Sequence, residues 1–272
     1  MIVADALRAA ATRLAATSDT ARLDAELLMA HALGVERSAM LLHAMRDAAP
    51  DGFAALVERR AGHEPVAHIL GHQEFFGRLF KVTPDTLIPR GDSEVLVEAA
   101  LGIAPQPARV LDLGTGTGAL LLSVLAQTGA TGVGTDFSPP ALAVAHENAD
   151  ALGLEDRVSF LLLDWREDGW TADLGQFDLI LCNPPYVEDA ADLAPDVRNH
   201  EPHSALFAGP DGLADYRILL PQMRDLLTDD GTAMVEIGHE QADAVTHIAR
   251  KQGFSASLRR DLAGRPRALI LK

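Results

Sequence analysis

LDLGTGTGALLL, residues 111–122, sets Gly114, Gly116 and Gly118 between a short apolar run and a helix-like one. Glycines at such a junction let the backbone turn tightly and approach a ligand without a Cβ in the way. Working outward, the same unit of strand and helix recurs. RVLDLG, TGVGTD, RVSFLLLD, FDLILCN and GTAMVEIG read as short apolar strands, and GALLLSVLAQTG, PPALAVAHENADALG, LADYRILLPQMRDLL and EQADAVTHIARKQG read as helices. Near-continuous apolar strands alternating with helices predict a parallel sheet covered on both faces. FSASLRRDLAGRPRALILK predicts a hairpin around Ala263 and Gly264, which adds an antiparallel pair at one sheet edge. The expected fold class is therefore α/β, a doubly wound sheet with an antiparallel edge hairpin.

Ahead of it, residues 1–72 read as helices only, a small all-α bundle. Val3, Leu7, Ala10 and Leu14 have helical spacing, and SDTARLDAELLMAHALG follows with Ser18 or Asp19 as N-cap and Gly34 as the stop. ERSAMLLHA and PDGFAALVERRAG predict two shorter helices. Glycines and prolines punctuate GHEPVAHILGHQEFFGRLFKVTPDTLIPRGDSE, whose EFFG and RLFKV have β character, so a hairpin and linker are expected over residues 73–90.

Composition narrows the function. The 272 residues carry a formal net charge of −16, with 39 Asp and Glu against 23 Lys and Arg, and no basic run of five or more. A protein whose main partner is a long nucleic acid usually needs a basic footprint, so this balance counts against one. No apolar run approaches the roughly 20 residues of a membrane span, and Asp5, Arg8 and Arg13 interrupt the first helix where a signal peptide is uninterrupted. Cys182 is the single cysteine, which excludes an intramolecular disulfide and fits a reducing compartment. The expectation is a cytoplasmic protein with no membrane partner.

The strand ends hold the candidate site. About twenty residues past the glycine turn, the second strand ends at Asp136, a carboxylate able to accept from both hydroxyls of a ribose. The third ends at Asp164 and Trp165, an acceptor and a flat ring suited to an adenine. The fourth, LILCNPPYVED (179–189), runs straight into Asn183, Pro184, Pro185 and Tyr186. Prolines fix φ and lack an N–H, so sheet pairing must stop there. Ligands of doubly wound sheets bind at the carboxyl ends of strands, where all these residues fall. The glycine turn by itself also satisfies a loose dinucleotide pattern with Ala119 as the third small residue, so NAD stays open at this point.

Together, the glycine turn and NPPY resemble the class I S-adenosylmethionine-dependent methyltransferases, Rossmann-like enzymes. The NPPY form is similar to those that methylate a planar nitrogen. EPVAHILGHQEFFG, TLIPRGDSEVLVE and DVRNHEPHSALFAGPDGL narrow the resemblance to the release-factor glutamine methyltransferases, the HemK/PrmC family, over nearly the whole chain. The resemblance implies a helical substrate-docking domain (1–72), a hairpin linker (73–90) and a methyltransferase domain (91–272). It implies that Gly114, Thr115, Gly116, Thr117, Gly118, Asp136, Asp164, Trp165 and Asn183 bind S-adenosylmethionine, with S-adenosylhomocysteine as product. Asn183 to Tyr186 would hold and activate the glutamine of the Gly-Gly-Gln motif of peptide chain release factors, with Arg90 and Glu201 beside it. An amide nitrogen attacks poorly because its lone pair is delocalised. Asn183 Oδ1 and the Pro184 carbonyl could each accept one of its N–H groups, and Tyr186 could stack on the plane. Where the family commonly has PRPDTE, this chain has PRGDSE, so Gly91 and Ser93 stand in a looser loop.

Other readings carry less. N-methylation of an exocyclic amine in DNA or RNA is compatible with NPPY, and the acidic charge argues against it. A non-catalytic module keeping only the nucleotide pocket would have had reason to lose Asn183. His63, His68 and His72 lack the HExxH spacing of a zinc site, so no metal is expected. Cys182 reads as a core residue. Arg90 and Glu94 either line the cleft or pair with each other, and Glu201 either orients a loop or is structural. Glu236 at the end of the fifth strand reads as a partner for a loop amide. The reaction needs no general base, since the nitrogen becomes acidic as it is methylated. A monomer is expected.

Overall fold

Val3, Leu7, Ala10 and Leu14 line the buried face of α1 (Val3–Leu14), the first element of the helical unit. The computed structural model describes residues 1–104 and 106–272. Helices α2 (Ala21–Leu33), α3 (Arg37–Ala39, continued by a π turn, Met40–Ala44), α4 (Phe53–Ala61) and α5 (Val66–Leu70) complete that unit. Gly34 ends α2 at φ 66°, the left-handed stop expected of it. The N-cap differs from expectation: it is Thr20, and neither Ser18 nor Asp19 caps the helix. The reason is Asp24, which is 4% exposed. It accepts from Ser18 Oγ and Thr20 Oγ1 (2.7 Å each) and from Arg60 Nε (2.7 Å), so the hydroxyls go to a buried carboxylate instead of the helix end. The turn at Val66–Leu70 falls where the punctuation suggested hairpin and loop; Pro65 opens it and Gly71 at φ 78° closes it. This unit comprises Met1–His72 and Leu193–His200, which includes α9 (Pro195–His200).

The second unit holds Gln73–Asp192 and Glu201–Lys272. It begins at the predicted hairpin, β1 (His72–Phe75) with β2 (Arg78–Lys81). The main sheet follows: β3 (Arg109–Leu113), β4 (Thr131–Asp136), β5 (Val158–Leu162), β6 (Phe177–Cys182), β7 (Leu227–Glu236), β8 (Ala256–Arg260) and β9 (Pro266–Leu271). Their order is β5-β4-β3-β6-β7-β9-β8. The first five in that order pair in parallel, and β9 pairs antiparallel with both β7 and β8. The edge hairpin is thus where the sequence puts it.

Alternation along each strand sorts the side chains into two cores. Val110, Leu179, Leu181, Met234 and Ile270 pack on one face with α6 (Glu94–Ile103), α7 (Ala119–Leu125) and α8 (Pro139–Ala151). Leu111, Leu113, Ile180, Val235 and Leu269 pack on the other with α10 (Ala214–Leu226) and α11 (Ala242–Lys251). Both faces are covered, as the unbroken apolar runs require. The chain order reverses between β3 and β6, and this is the crevice in which such a sheet binds ligands. Among the described residues, no helix is long and apolar enough to cross a membrane.

Candidate functional site

Register places two turns side by side. Leu113, the last residue of β3, pairs with Cys182, the last of β6, and also with Thr135 of β4. Gly114, Asn183 and Asp136 are therefore the next residues on three adjacent strands. In the glycine turn, the N–H groups of Gly114 and Thr115 both donate to the Thr135 carbonyl (2.9 and 2.8 Å). Gly116 N–H donates to Asp136 Oδ2 at 2.9 Å, and Ser138 N–H to its Oδ1 at 3.0 Å. The carboxylate that the sequence assigns to a ribose thus also holds the turn in shape. Burial raises the Asp136 pKa above the ordinary carboxylate range, and these backbone donors oppose that rise. A Cβ on Gly116 (φ 55°) would meet nothing within 4 Å, so its face is open. A Cβ on Gly114 (φ 73°) would lie 2.9 Å from Trp165 Cη2.

One cleft, with about 1130 Å³ of empty space partly open to solvent, is walled by Gly114, Thr115, Gly116, Thr117, Asp136, Trp165, Asn183, Pro185 and Arg90. Gly118, Asp164, Pro184, Tyr186 and Glu201 are not on its wall. Gly118 begins α7 at φ 80°. Asp164 accepts the Arg166 N–H at 2.9 Å. Trp165 is a buried wall, its indole N–H donating to Asp215 at 2.8 Å. Glu201 accepts the Ile88 N–H at 3.1 Å and the Arg90 guanidinium, so it braces the PRGDSE loop from below. Arg90 accordingly pairs with Glu201 and not with Glu94, which instead accepts the Phe76 N–H at 2.8 Å. Phe76 has φ 50°, and this bond secures that turn of the β1–β2 hairpin.

The NPPY turn is held by distant stretches. Gln241 Nε2 donates to the Tyr186 carbonyl at 2.9 Å, and Val187 N–H to the Leu206 carbonyl at 2.8 Å. Gly212 lies so close that a Cβ there would be 2.3 Å from Tyr186 O. The Tyr186 phenol donates to Glu236 Oε1 at 3.3 Å. Glu236 therefore serves a phenol, where the sequence suggested a loop amide. Cys182 is fully buried, and burial pushes its thiol well above the ordinary range.

Two features were not anticipated. Phe75 and the Pro84–Pro89 stretch contribute to the cleft wall. Asp112, in the middle of β3, is 1% exposed. Its Oδ2 accepts Thr115 Oγ1 at 2.7 Å, while Oδ1 has no hydrogen-bond partner among the described residues. Burial pushes its pKa up to about 7. The signal was available, since an acid inside an apolar strand run is exceptional.

A family model described as the PrmC N-terminal domain matches residues 5–71, and one described as a methyltransferase domain matches residues 106–258. The release factor glutamine methyltransferase of Cereibacter sphaeroides is 45% identical over 275 residues, covering 98% of this chain and 97% of that one. That of Rhodospirillum rubrum is 42% identical over 259 residues, 92% of this chain and 78% of that one. Among solved structures, a ribosomal protein L11 methylase from Lactobacillus delbrueckii subsp. bulgaricus superposes with a TM-score of 0.52 at 21% identity, over 74% of this chain and 89% of that one. The common fold is that of a class I methyltransferase.

Proposed function

The chain belongs to the release factor glutamine methyltransferase family, and on that premise we propose that it methylates the side-chain amide N5 of the glutamine in the Gly-Gly-Gln motif of peptide chain release factors. The observation that carries the reading is the pairing of Leu113 with Cys182, which brings the glycine turn and, from NPPY, Asn183 and Pro185 to one cleft. The cofactor of the proposal is S-adenosylmethionine, which supplies a methyl group on a cationic sulfur when bound. The cleft suits it: the Gly116 face is open where a Cβ would intrude, and Asp136 stands beside it with acceptor capacity. Thr115 and Thr117 add polar groups, and Trp165 a flat apolar wall.

Asn183 is the residue common to both halves. Its side-chain oxygen and the Pro184 carbonyl would accept the two amide N–H groups, drawing the nitrogen lone pair out of conjugation and toward the methyl group. Pro184 and Pro185 keep these acceptors in place without reorganisation. No residue has to take a proton in the rate-determining step, which agrees with the absence of a titratable side chain at positions 183–185. Arg90, fixed by Glu201, would carry a charge at the cleft wall for substrate backbone or carboxylate. The helical unit would provide the docking surface for the release factor, acting as a monomer in the cytoplasm. A net charge of −16 suits a protein substrate better than a long nucleic acid.

The test uses methyl-labelled S-adenosylmethionine with an unmethylated release factor and the same factor with its Gly-Gly-Gln glutamine changed to alanine. Label is expected on the first only, with Asn183→Ala lowering turnover by about 10²–10³ while cofactor binding survives. No label on either factor, with the cofactor bound, sinks the reading and makes nucleic acid at low salt the next substrate.

A further inference from the structure

Glu236 ends β7 at the same edge of the sheet as NPPY and is 1% exposed. A carboxylate so placed incurs a desolvation penalty that only well-placed partners offset. The ordinary account would be an ion pair with Arg267, which precedes Ala268, the partner of Glu236 across the β7–β9 ladder. The hydrogen bonds run otherwise: Arg267 Nη2 donates to Asp92 at 2.8 Å and to Asp261 at 3.2 Å. What Glu236 Oε1 receives is the Tyr186 phenol. Its main-chain carbonyl receives a second phenol, Tyr216, at 2.8 Å. Around it, Glu236 Oε2, Ser93 Oγ and Arg267 Nε are buried with no partner of good geometry among the described residues. The carboxylate is thus directed to the last residue of the NPPY turn.

We propose that Glu236 is a positioning residue for methyl transfer, its ionised carboxylate holding the Tyr186 phenol and through it the NPPY turn at the cleft. The inference rests on the function proposed above. Glu236 lies where three segments meet behind the acceptor site: β7, the Tyr186 end of the turn, which it holds by a hydrogen bond, and the Asp92–Ser93 turn that follows Arg90, which is near it. The acceptor amide and a sulfonium do not titrate near neutrality, so the chemistry itself supplies no pH dependence there. Glu236 does. Burial pushes it up to about 7, the nearby Asp92 adds to the rise, and the Ser93 hydroxyl, Arg267 and the Tyr186 phenol oppose it. The other charged or titratable groups facing it are Asp261 beyond Arg267, Tyr216 on α10 and Cys182 on β6. Protonation weakens the bond to the phenol, so the transfer step slows as pH falls through 7.

The experiment measures kcat and KM with labelled cofactor and release factor for the wild type, Glu236→Gln, Tyr186→Phe and the double variant, from about pH 5.5 to 8.5. Melting temperatures are recorded beside each. A charged hydrogen bond of this kind corresponds to about a tenfold effect. Glu236→Gln is expected to lose about tenfold in kcat at pH 8 with KM for the cofactor nearly unchanged, and to lose the wild-type step near pH 7. Tyr186→Phe should remove the same step, and the double variant should be no worse than the worse single one. A step that survives in Glu236→Gln would belong to another group, Asp112 being the nearest in pKa, and would overturn the inference. So would additive losses in the double variant. Should Glu236→Gln not fold, Tyr186→Phe alone decides, because a step intact without the phenol refutes the coupling. A wild type that does not label the release factor at all refutes instead the function on which the inference rests.

Discussion

The turn after β3 and the turn after β6 leave the sheet from paired residues, Leu113 and Cys182, and wall the same cleft, yet they are held in opposite ways. The glycine turn is fixed by its own residues and its immediate neighbour β4: positive φ at Gly114, Gly116 and Gly118, and N–H bonds to Thr135 and Asp136. The NPPY turn has stiff prolines of its own, but its far end is pinned by Gln241, Gly212 and Glu236, all more than twenty residues away in the chain. A flexible local sequence is thus set by backbone geometry, and a stiff one by remote side chains. On the function proposed above, the first would suit a turn that lies against a cofactor, the second a turn whose two acceptors must not move.

The sharpest way to break this contrast is Gly212→Ala. Its Cβ would sit 2.3 Å from Tyr186 O and 2.6 Å from Gln241 Nε2, at φ 64°. Backbone on one side and a hydrogen-bonded amide on the other leave nothing cheap to move. The expected cost is about 3–5 kcal/mol, read by denaturant unfolding, with kcat lost ahead of cofactor affinity. Unchanged stability and turnover would mean that the NPPY turn does not depend on this remote support.

The same division explains what the sequence disclosed. Three glycines between an apolar run and a helix announce a turn because glycine's φ range is a property of the residue itself. The two prolines announce a strand end for the same reason. The partners of Tyr186 could not be read, because Glu236, Gln241 and Gly212 meet it only after β6, β7 and α10 have packed. Arg90 shows the limit well. Glu94 is its neighbour in sequence and Glu201 its partner in space, and nothing local distinguishes the two. Ser18 likewise has the chemistry of a cap, and only the buried Asp24 redirects it. Asp112 was visible as an acid inside an apolar strand, but its unpaired Oδ1 is a property of the packed sheet.

Within the glycine turn, two substitutions separate conformation from space. Gly114→Ala combines positive φ with a Cβ 2.9 Å from the Trp165 ring, whose indole is tied to Asp215. It should cost about 2–4 kcal/mol and weaken cofactor binding, measured by calorimetry. Gly116→Ala has the φ penalty alone, about 1–2 kcal/mol, since its Cβ meets nothing within 4 Å. Its loss of cofactor affinity should exceed its loss of stability, because the methyl group would occupy the open face itself. Equal effects at the two positions would show that packing against Trp165 contributes nothing to the turn.

The remaining effect has the opposite sign, a gain. Asp112 is buried with one orphaned oxygen and its pKa is pushed up to about 7, by burial first, with the charge of Asp136 adding to it. A carboxyl whose folded pKa lies above its unfolded value keeps a proton that the unfolded chain has released. Folding therefore loses stability through this group as pH rises from about 4 to about 7, and the loss is complete above that. Asn at 112 cannot ionise, and its side-chain oxygen can still accept from Thr115. Asp112→Asn should accordingly be more stable than the wild type by roughly 1–3 kcal/mol at pH 8, with the difference shrinking toward pH 4. Glu236, raised in the same direction, is present in both proteins and cancels from the comparison. Paired urea titrations at pH 8 and pH 5 check the sign. A gain at pH 8 would mean that the strand beneath the glycine turn carries a charge the fold would do better without; a loss would mean that the ionised Asp112 is what keeps Thr115, and with it the turn, in place.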